Sequence, residues 1–537
     1  MASEKEIEQR AKLIAYLDSL EFKGSKLEKD LRKNMALSLP SFKIDHRMEY
    51  GAETMFFELN FKKDHQKGGY RLSSYKATHR TEVFIDHQEI NGINTADLDE
   101  RMAGWKWDLY FKDPDKLLNE QGKIFMKETF EQLHKITEED NHIGAGIQQK
   151  LMFKHWPKQY VDQQIYQQLL PIYEHNREFS VSEFGCCNAH LAYHILSGRL
   201  DDLYEKIRET GIDQYPGVDL YRLLEQELSQ NPEQFQIQKY HNTWQYQAEF
   251  ILPVASKENW YHIDTYKAIL TPLPEIAHAN IKGIDTCELE ESMRAVAWHR
   301  DRELFEFSND GEPVFLDYIN NIQRQMNILY DDPAGAVIAD QLSLKYWIDA
   351  TFFEDLIRPQ AWDYLDSLPK RMMEFPVSVD AKVACNLLLG KSVAEKFLLS
   401  EAATPGNWVR LKLDKLEDPG TYHYIHTTGP TAEQIDKLLV MLPMIKWKHN
   451  HAVNELQKGE LIQGSTISGK KILIEVDPES KSLNFYSNKM EPIPVNIQFD
   501  PDWKPPGSRL EKKINAPEIP SQNSKIAGSK NKKGPRL

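Results

Sequence analysis

Four residues of this chain have the side chains that a cysteine hydrolase uses. They are Cys187, His241, His262 and Asp264, in that order along the sequence. A thiol at the start of a helix has a lowered pKa because the helix dipole favours the thiolate, and a histidine can act as its base. Cys187 precedes a predicted helix, so these residues form one candidate catalytic set. The alternative is that Cys187 is a packing residue, which is the commoner role of a buried cysteine.

A second motif lies at 464–471, where Gly-Ser-Thr-Ile-Ser-Gly-Lys-Lys matches most of a phosphate-binding loop. Lys471 stands where that loop needs a Ser or Thr to bind magnesium. The residues that follow are β-branched and predict a strand, whereas phosphate binding needs the N-terminus of a helix. We therefore interpret this motif as a polar hairpin turn.

The last 34 residues are strongly basic. From Lys504 onward there are nine Lys or Arg and two Glu, a net charge of +7, which leaves −22 on the rest of a chain whose total is −15. An acidic body repels nucleic-acid phosphate, but a basic tail neutralises phosphate without a fold. A tail that serves only solubility is an equal alternative. The candidate nucleic-acid-binding residues are Lys504, Lys512, Lys513, Lys530, Lys532, Lys533 and Arg536.

The sequence predicts no metal or cofactor site. Its four cysteines have no C-x-x-C spacing, and His449-Asn450-His451 lacks further ligands at a convincing distance. So few cysteines favour the reducing cytoplasm. The first residues lack the apolar run of a signal peptide, and no apolar run approaches the length of a membrane span.

The chain contains an internal duplication. Residues 70–156 align with 261–347 without a gap, at a constant offset of 191, and 22 of the 87 pairs are identical. Composition alone would give roughly five identities. At this offset Cys187 has no counterpart, which weakens the hydrolase hypothesis. The identical polar and tryptophan pairs include His87/His278, Lys154/Lys345, Trp107/Trp298 and Trp156/Trp347.

These matched pairs have two interpretations. Paired polar side chains suit a ligand site used twice, but more often they are hydrogen bonds that the fold itself needs. Tryptophans can stack on nucleic-acid bases, although tryptophans retained in both halves favour core packing. We favour the structural interpretation for both groups.

The predicted elements give an α+β fold. Helices at 4–20 and 26–35 precede a hairpin at 54–63 and 70–79, and Thr95 is a predicted N-cap. The same order recurs from 220, with Thr286 as the N-cap, and hairpins recur near 409–427 and 471–486. We expect two copies of a helix–β-hairpin–helices unit at 1–180 and 181–375. A third, truncated β-rich unit at 376–500 and a disordered basic tail at 501–537 complete the predicted organisation.

Part of the chain resembles a domain of unknown function from cytoplasmic proteins of Bacteroidetes mobile and conjugative elements. The resemblance is carried by 384–393 (Ala-Cys-Asn-Leu-Leu-Leu-Gly-Lys-Ser-Val), by 407–414 and by the hairpin segments 456–459 and 469–478. Residues 56–77 resemble the segment that precedes it. The resemblance as a whole, including the residues between these segments, extends over about a third of the chain. The resemblance implies a non-catalytic module and supplies no catalytic residues.

The leading functional hypothesis is a non-enzymatic adaptor of the bacterial cytoplasm, which engages a protein partner through its duplicated surface. One alternative is a nucleic-acid accessory factor anchored by the basic tail. The other is a thiol hydrolase, since the order Cys187, His241, Asp264 resembles that of transglutaminase-like hydrolases. The sequence leaves open whether the chain is an enzyme, and it favours a protein that is not one. We expect no membrane association.

Overall fold

The computed structural model describes residues 4–498, except 52, 65–68, 113–119, 182–186, 216–218, 258–259, 299, 301–303, 308–312, 351, 399–402, 415–420, 443–448, 466–470 and 488–489. They form two compact units. Unit 1 consists of Met1–Lys206, Val218–Gln236 and Pro253–Ile263. Unit 2 consists of Ile207–Gly217, Ile237–Leu252 and Asp264–Leu537. The fold is α+β, as predicted.

The first copy of the duplication, copy 1, has two helices, three strands, a mainly helical insertion, a fourth strand and a last helix. The elements are α1 (Glu4–Ser19), α2 (Ser25–Ala36), β1 (Ser41–Tyr50), β2 (Glu53–Lys63), β3 (Tyr70–Arg80), β4 (Glu89–Ile90), β5 (Ile93–Asn94), α3 (Thr95–Ala103), α4 (Trp107–Lys112), α5 (Glu120–Lys135), α6 (His142–His155), α7 (Gln163–Tyr173), β6 (Glu174–Ser180) and α8 (Ala189–Leu196).

Copy 2 repeats this order. Its elements are α9 (Arg199–Glu209), α10 (Leu220–Ser229), β7 (Gln234–Asn242), β8 (Tyr246–Lys257), β9 (Trp260–His262), β10 (Thr265–Pro272), β11 (Asn280–Ile281), β12 (Ile284–Asp285), α11 (Thr286–Arg294), β13 (Phe305–Phe307), β14 (Pro313–Phe315), α12 (Asp317–Tyr330), α13 (Pro333–Tyr346), α14 (Pro359–Ser367), β15 (Arg371–Pro376) and α15 (Ala381–Leu389). Helices α3 and α11, like α6 and α13, have bounds that differ by 191 residues at both ends.

The two copies share one sheet topology. Copy 1 has the strand order β1-β2-β3-β6, and copy 2 has the corresponding order β7-β8-β10-β15. Tyr75 pairs with Phe179 across β3 and β6, and Tyr266 pairs with Phe375 across β10 and β15. The predicted hairpin is therefore the middle of a four-stranded sheet, whose first and last strands the sequence did not predict.

Alternation along β2 determines which face of the first sheet is buried. Met55, Phe57, Leu59 and Phe61 are almost fully buried and pack with α1, α2 and α8. The inserted helices form a second core of unit 1, which includes Leu98, Met102 and Trp107. Equivalent inserted helices of copy 2 form a core in unit 2 around Trp298 and Trp347.

The predicted N-caps are each one residue too late. Asn94 caps α3 and Asp285 caps α11, because their side-chain oxygens accept the free backbone N–H groups of the first turn. The Thr95 and Thr286 hydroxyls instead accept the backbone N–H groups of Gln88 and Ala279. Each hydroxyl thus ties its helix to the preceding loop.

The C-terminal part of unit 2 is β-rich, as predicted. Its first sheet contains β16 (Val393–Ala394), β17 (Asn407–Leu411) and β18 (Tyr424–Thr428), and helices α16 (Ala432–Met441) and α17 (His449–Gln457) follow. A four-stranded sheet closes it, with β19 (Ile462–Ser465), β20 (Lys471–Asp477), β21 (Ser482–Tyr486) and β22 (Pro492–Gln498).

The Gly-rich motif at 464–471 lies in this last sheet. Ser465 pairs with Lys471 across the antiparallel strands β19 and β20, while 466–470 lie outside the described residues. A strand rather than a helix follows the motif, so the hairpin interpretation is confirmed. The strand Ile462–Ser465 was not predicted.

Candidate functional site

Copy 1 holds a half-buried acid centre at Asp99 on α3. Its carboxylate accepts from Lys154 Nζ at 2.8 Å and contacts His155 Nε2 at 2.6 Å and His87 Nε2 at 3.4 Å. Burial raises the pKa of Asp99, but the hydrogen bonds from Lys154 and His155 outweigh it and the net shift is downward. Asp99 is therefore held as a carboxylate.

Copy 2 has the equivalent centre at Glu290. This carboxylate contacts His278 Nε2 at 2.8 Å, Arg294 at 3.3 Å and Lys345 Nζ at 3.4 Å, and it accepts the Tyr346 hydroxyl at 3.0 Å. Burial raises the pKa of Glu290, but the charge of Lys345 and the Tyr346 hydrogen bond outweigh it. In both centres, the groups that contact the carboxylate are side chains of the same copy.

These centres give the matched histidines and lysines an internal role. Asp99 and Glu290 are separated by 191 residues, but a search for identical residues misses them because one is Asp and the other Glu. Comparing charge instead of identity along the alignment would have found them. The geometry supports the structural interpretation of the His87/His278 and Lys154/Lys345 pairs.

A second ionic cluster of copy 1 lies around Glu53, the first residue of β2. The Glu53 carboxylate contacts Arg199 at 2.9 Å and His79 at 3.3 Å, and it accepts the Tyr193 hydroxyl at 2.7 Å. Burial raises the pKa of Glu53, but the hydrogen bonds of His79 and Tyr193 and the charge of Arg199 bring it to about 2. Arg199 is 4% exposed and also packs over Trp260. We call this set the closed cluster.

Copy 1 also has an open cleft of about 800 Å³. Its walls come from β1, β2, the end of β3 and the loops after α3 and α6. Its lining includes five cations and one carboxylate, with three tryptophans on one side. The lining residues are Arg47, Thr54, Phe56, Arg80, Thr81, Glu82, Val83, Trp105, Lys106, Trp107, Lys154, His155, Trp156, Pro157 and Lys158. We call it the copy-1 cleft.

Three of its cations have acidic partners. Lys154 binds Asp99, Arg80 lies 3.7 Å from Glu174, and Arg47 lies 3.1 Å from Glu49. The other two, Lys106 and Lys158, are exposed, and Lys158 lies over the ring of Tyr166. The surplus positive charge of the cleft is therefore at its rim.

The tryptophans of the cleft are engaged with other rings. Trp105 stacks on Phe125 at 4.8 Å, and Trp107 and Trp156 lie 5.9 Å apart. Trp107 also donates its Nε1–H to the Met102 carbonyl, as Trp298 does to Met293 in copy 2. Core packing, the favoured interpretation of the paired tryptophans, is confirmed.

The structure places Cys187 just before helix α8, whose N-cap is Asn188. The Cys187 carbonyl accepts the Tyr75 hydroxyl, and in copy 2 the Val379 carbonyl accepts the Tyr266 hydroxyl. Cys187 thus has a counterpart at an offset of 192, and that counterpart is apolar. This correspondence favours the packing interpretation of Cys187.

The other residues of the hydrolase hypothesis are divided between the units. Cys187 and His262 belong to unit 1, and His241 and Asp264 belong to unit 2. His241 stacks on Tyr215 at 4.0 Å, and burial together with the charge of Lys382 lowers its pKa to about 4. Backbone pairing fixes the position of His262 in β9, and the Asp264 carbonyl accepts the Val377 N–H.

The candidate nucleic-acid-binding residues of the tail, Lys504 to Arg536, lie outside the described residues. Within the described part of the chain, no group of three or more His, Cys, Asp or Glu side chains is arranged to hold a metal ion. No helix in that part is both long and apolar enough to cross a membrane.

Comparison with family models, with curated proteins and with solved structures gives no match to this chain. The geometry of the two copies is therefore the basis on which a function is inferred.

Proposed function

We propose that this chain is a non-enzymatic binding protein whose copy-1 cleft engages an acidic segment of a protein partner. The observation that carries the proposal is the surplus of cations in this cleft on a chain of net charge −15. An acidic partner is attracted to a local positive patch even when the net charge of the whole molecule is negative.

The aromatic groups favour a protein over a nucleic acid. Base stacking needs an open aromatic face, and the tryptophan rings pack against Phe125 and one another. Phe56, in contrast, is 40% exposed and lies opposite Arg47 across β1 and β2. Phe56 offers an apolar contact beside the charged rim.

The cleft is a property of copy 1 alone. At an offset of 191, Arg80 and Lys106 become Thr271 and Ala297, and Lys158 becomes Asp349. The proposal therefore assigns the partner to copy 1 instead of to two equal surfaces. The bacterial cytoplasm and a mobile-element context belong to this proposal, supported by the cysteine usage and by the resemblance.

The test is fluorescence anisotropy of the full chain with a labelled poly-glutamate peptide. A Lys106→Glu/Lys158→Glu variant should bind about tenfold more weakly than the wild type. The matched control is Lys123→Glu/Lys127→Glu, which reverses two exposed charges on α5. An equal loss in the control contradicts the proposal.

The nucleic-acid alternative has its own arm, supported by the +7 charge of the tail. It predicts that a labelled oligothymidylate of the same charge binds more tightly than the peptide, with affinity that falls steeply with salt. Removal of 504–537 should then abolish binding, while the Lys106→Glu/Lys158→Glu variant should retain it.

A further inference from the structure

The two copies end in the same way. Helices α8 and α15 have N-caps Asn188 and Asp380, separated by 192 residues. Gly198 and Gly390 follow these helices with φ values of 77° and 88°, a conformation that favours glycine. The next residues are Arg199 and Lys391. Lys391 therefore follows the last helix of copy 2 as Arg199 follows the last helix of copy 1.

Copy 2 has lost the partners that neutralise this cation. Glu53 is replaced by Tyr246, as the pairing of β8 with β10 shows, and His79 is replaced by Leu270 at an offset of 191. Tyr193 is replaced by Cys385, at an offset of 192. The closed cluster has thus kept its cation in copy 2 and lost its carboxylate.

Lys391 is half-buried, and no hydrogen bond or ion pair of its side chain is found within the part of the chain that the structure describes. Burial lowers the pKa of its ammonium group. Two acids act on it from a distance, but Glu460 accepts a 2.7 Å hydrogen bond from Asn386 and Glu475 accepts the Tyr486 hydroxyl. A partly desolvated cation without a contacting anion is costly.

Lys391 lines a cleft of about 770 Å³ that lies entirely within unit 2. This volume suits a small-molecule ligand. The lining includes the cations Lys382, Lys471 and Arg294 as well as Lys391, against the two carboxylates of Glu291 and Glu460. The rings of Trp244 and Tyr246 form part of its wall.

We propose that this cleft binds a small organic anion. Its carboxylate or phosphate contacts Lys391 as the Glu53 carboxylate contacts Arg199, and its planar part lies against Trp244. Lys382 and Lys471 supply further positive charge for a dianion. In this proposal copy 1 carries its anion within the fold, and copy 2 takes its anion from solution.

Pyridoxal 5′-phosphate is the first probe, because it joins a phosphate, a planar ring and an aldehyde. With the phosphate held by Lys382 and Lys471, the aldehyde condenses with the deprotonated fraction of the Lys391 amine to an imine and water, and borohydride reduces the imine to a stable secondary amine. Peptide mapping of the full chain should find about tenfold more label at Lys391 than at the exposed Lys437. Inorganic phosphate and succinate as competitors distinguish a phosphate ligand from a carboxylate ligand.

Pyridoxine 5′-phosphate, which lacks the aldehyde, measures binding alone by calorimetry. Wild type, Lys391→Arg and the exposed control Lys437→Met should bind it, whereas Lys391→Met should lose binding. Tyr246→Glu restores the carboxylate of copy 1 in the cleft that Lys391 lines, so it should abolish binding with the far-ultraviolet circular dichroism unchanged.

Two results overturn the proposal. One is labelling of Lys391 no faster than that of Lys437. The other is equal binding of pyridoxine 5′-phosphate by the wild type, Lys391→Met and Tyr246→Glu.

Discussion

The two copies differ most at the end of the sheet where their first two strands meet. In copy 1, Glu53 neutralises the buried Arg199. In copy 2, Tyr246 stands at the position of Glu53, and Lys391 faces an open cleft. The acid centres of Asp99 and Glu290 have kept the same design in both copies. The duplicated framework has therefore been retained while one ionic cluster was opened.

This difference shows how a duplicated fold separates stability from binding. A closed cluster contributes to the fold only when both charges are present, since removing one leaves the other buried without a partner. When the carboxylate of the cluster is lost, the anionic group of a ligand can take its place beside the cation. The following substitutions test this comparison.

The largest effect is expected from Glu53→Gln, which removes the carboxylate that the buried Arg199 contacts at 2.9 Å. Unit 1 should lose about 4 kcal/mol of unfolding free energy. Urea denaturation with hydrogen exchange read on peptides from β2 and α8 measures the loss in unit 1. Glu49→Gln, which removes an exposed partner of Arg47, is the control and should cost less than about 1 kcal/mol. If both variants lose the same unfolding free energy, the closed cluster stabilises unit 1 no more than an exposed ion pair does.

The comparison of the wild type with Glu53→Gln also predicts how stability depends on pH. The pKa of Glu53 falls from 4.5 to about 2 on folding, because hydrogen bonds from His79 and Tyr193 and the charge of Arg199 outweigh its burial. A lowered folded pKa gives stability that is fully present above pH 4.5 and is lost as the pH falls through about 2. The stability difference between wild type and Glu53→Gln should therefore shrink across this range. A difference that does not change between these pH values contradicts the assignment.

The paired glycines Gly144 and Gly335 test whether the framework is equally tight in both copies. A Cβ at Gly144 would lie 1.7 Å from the Ile136 carbonyl oxygen, and one at Gly335 would lie 2.5 Å from that of Leu329. Backbone atoms cannot move aside easily, so we expect Gly144→Ala to cost about 3 kcal/mol and Gly335→Ala about 2 kcal/mol.

The control for these glycines lies two residues along the same helix. A Cβ at Gly146 has no atom within 4 Å, so Gly146→Ala should stabilise α6 by up to about 1 kcal/mol. Thermal unfolding of the three variants measures the order. If Gly146→Ala also destabilises the protein, alanine disturbs the helix itself, and the close contacts of Gly144 and Gly335 with backbone carbonyls are not the cause.

Sequence reasoning succeeded where the signal is local. Alternation in β2 and the ungapped offset of 191 predicted the hairpins, most helices and the duplication, because burial on one face imposes a period on the chain. It missed β1, where His46 interrupts the apolar alternation of Phe42, Ile44 and Met48. This strand lies at the edge of its sheet, where polar residues are tolerated.

The clusters could not be predicted in the same way. Glu53 and Arg199 are 146 positions apart, and nothing local to either residue indicates the other. Arg199 and Lys391 correspond at an offset of 192, one residue outside the register of the gapless alignment. Extending the alignment with one gap, through the Gly198/Gly390 pair, would have shown that a cation follows each last helix.

The smallest effect is expected from Tyr75→Phe and Tyr266→Phe. Both side chains are fully buried, and each donates its hydroxyl to the carbonyl of the residue before an N-cap. Loss of the hydroxyl leaves that carbonyl short of a donor and should cost about 1 kcal/mol in each copy. The exposed Tyr240→Phe is the control and should have little effect on urea denaturation. This contact positions the helix that leads to Arg199 or Lys391. Equal losses of unfolding free energy would therefore mean that the helix before the cation is held equally firmly in both copies. A clearly larger cost in one copy would trace the difference between the closed cluster and the open cleft to the helix instead of to the exchange of Glu53 for Tyr246.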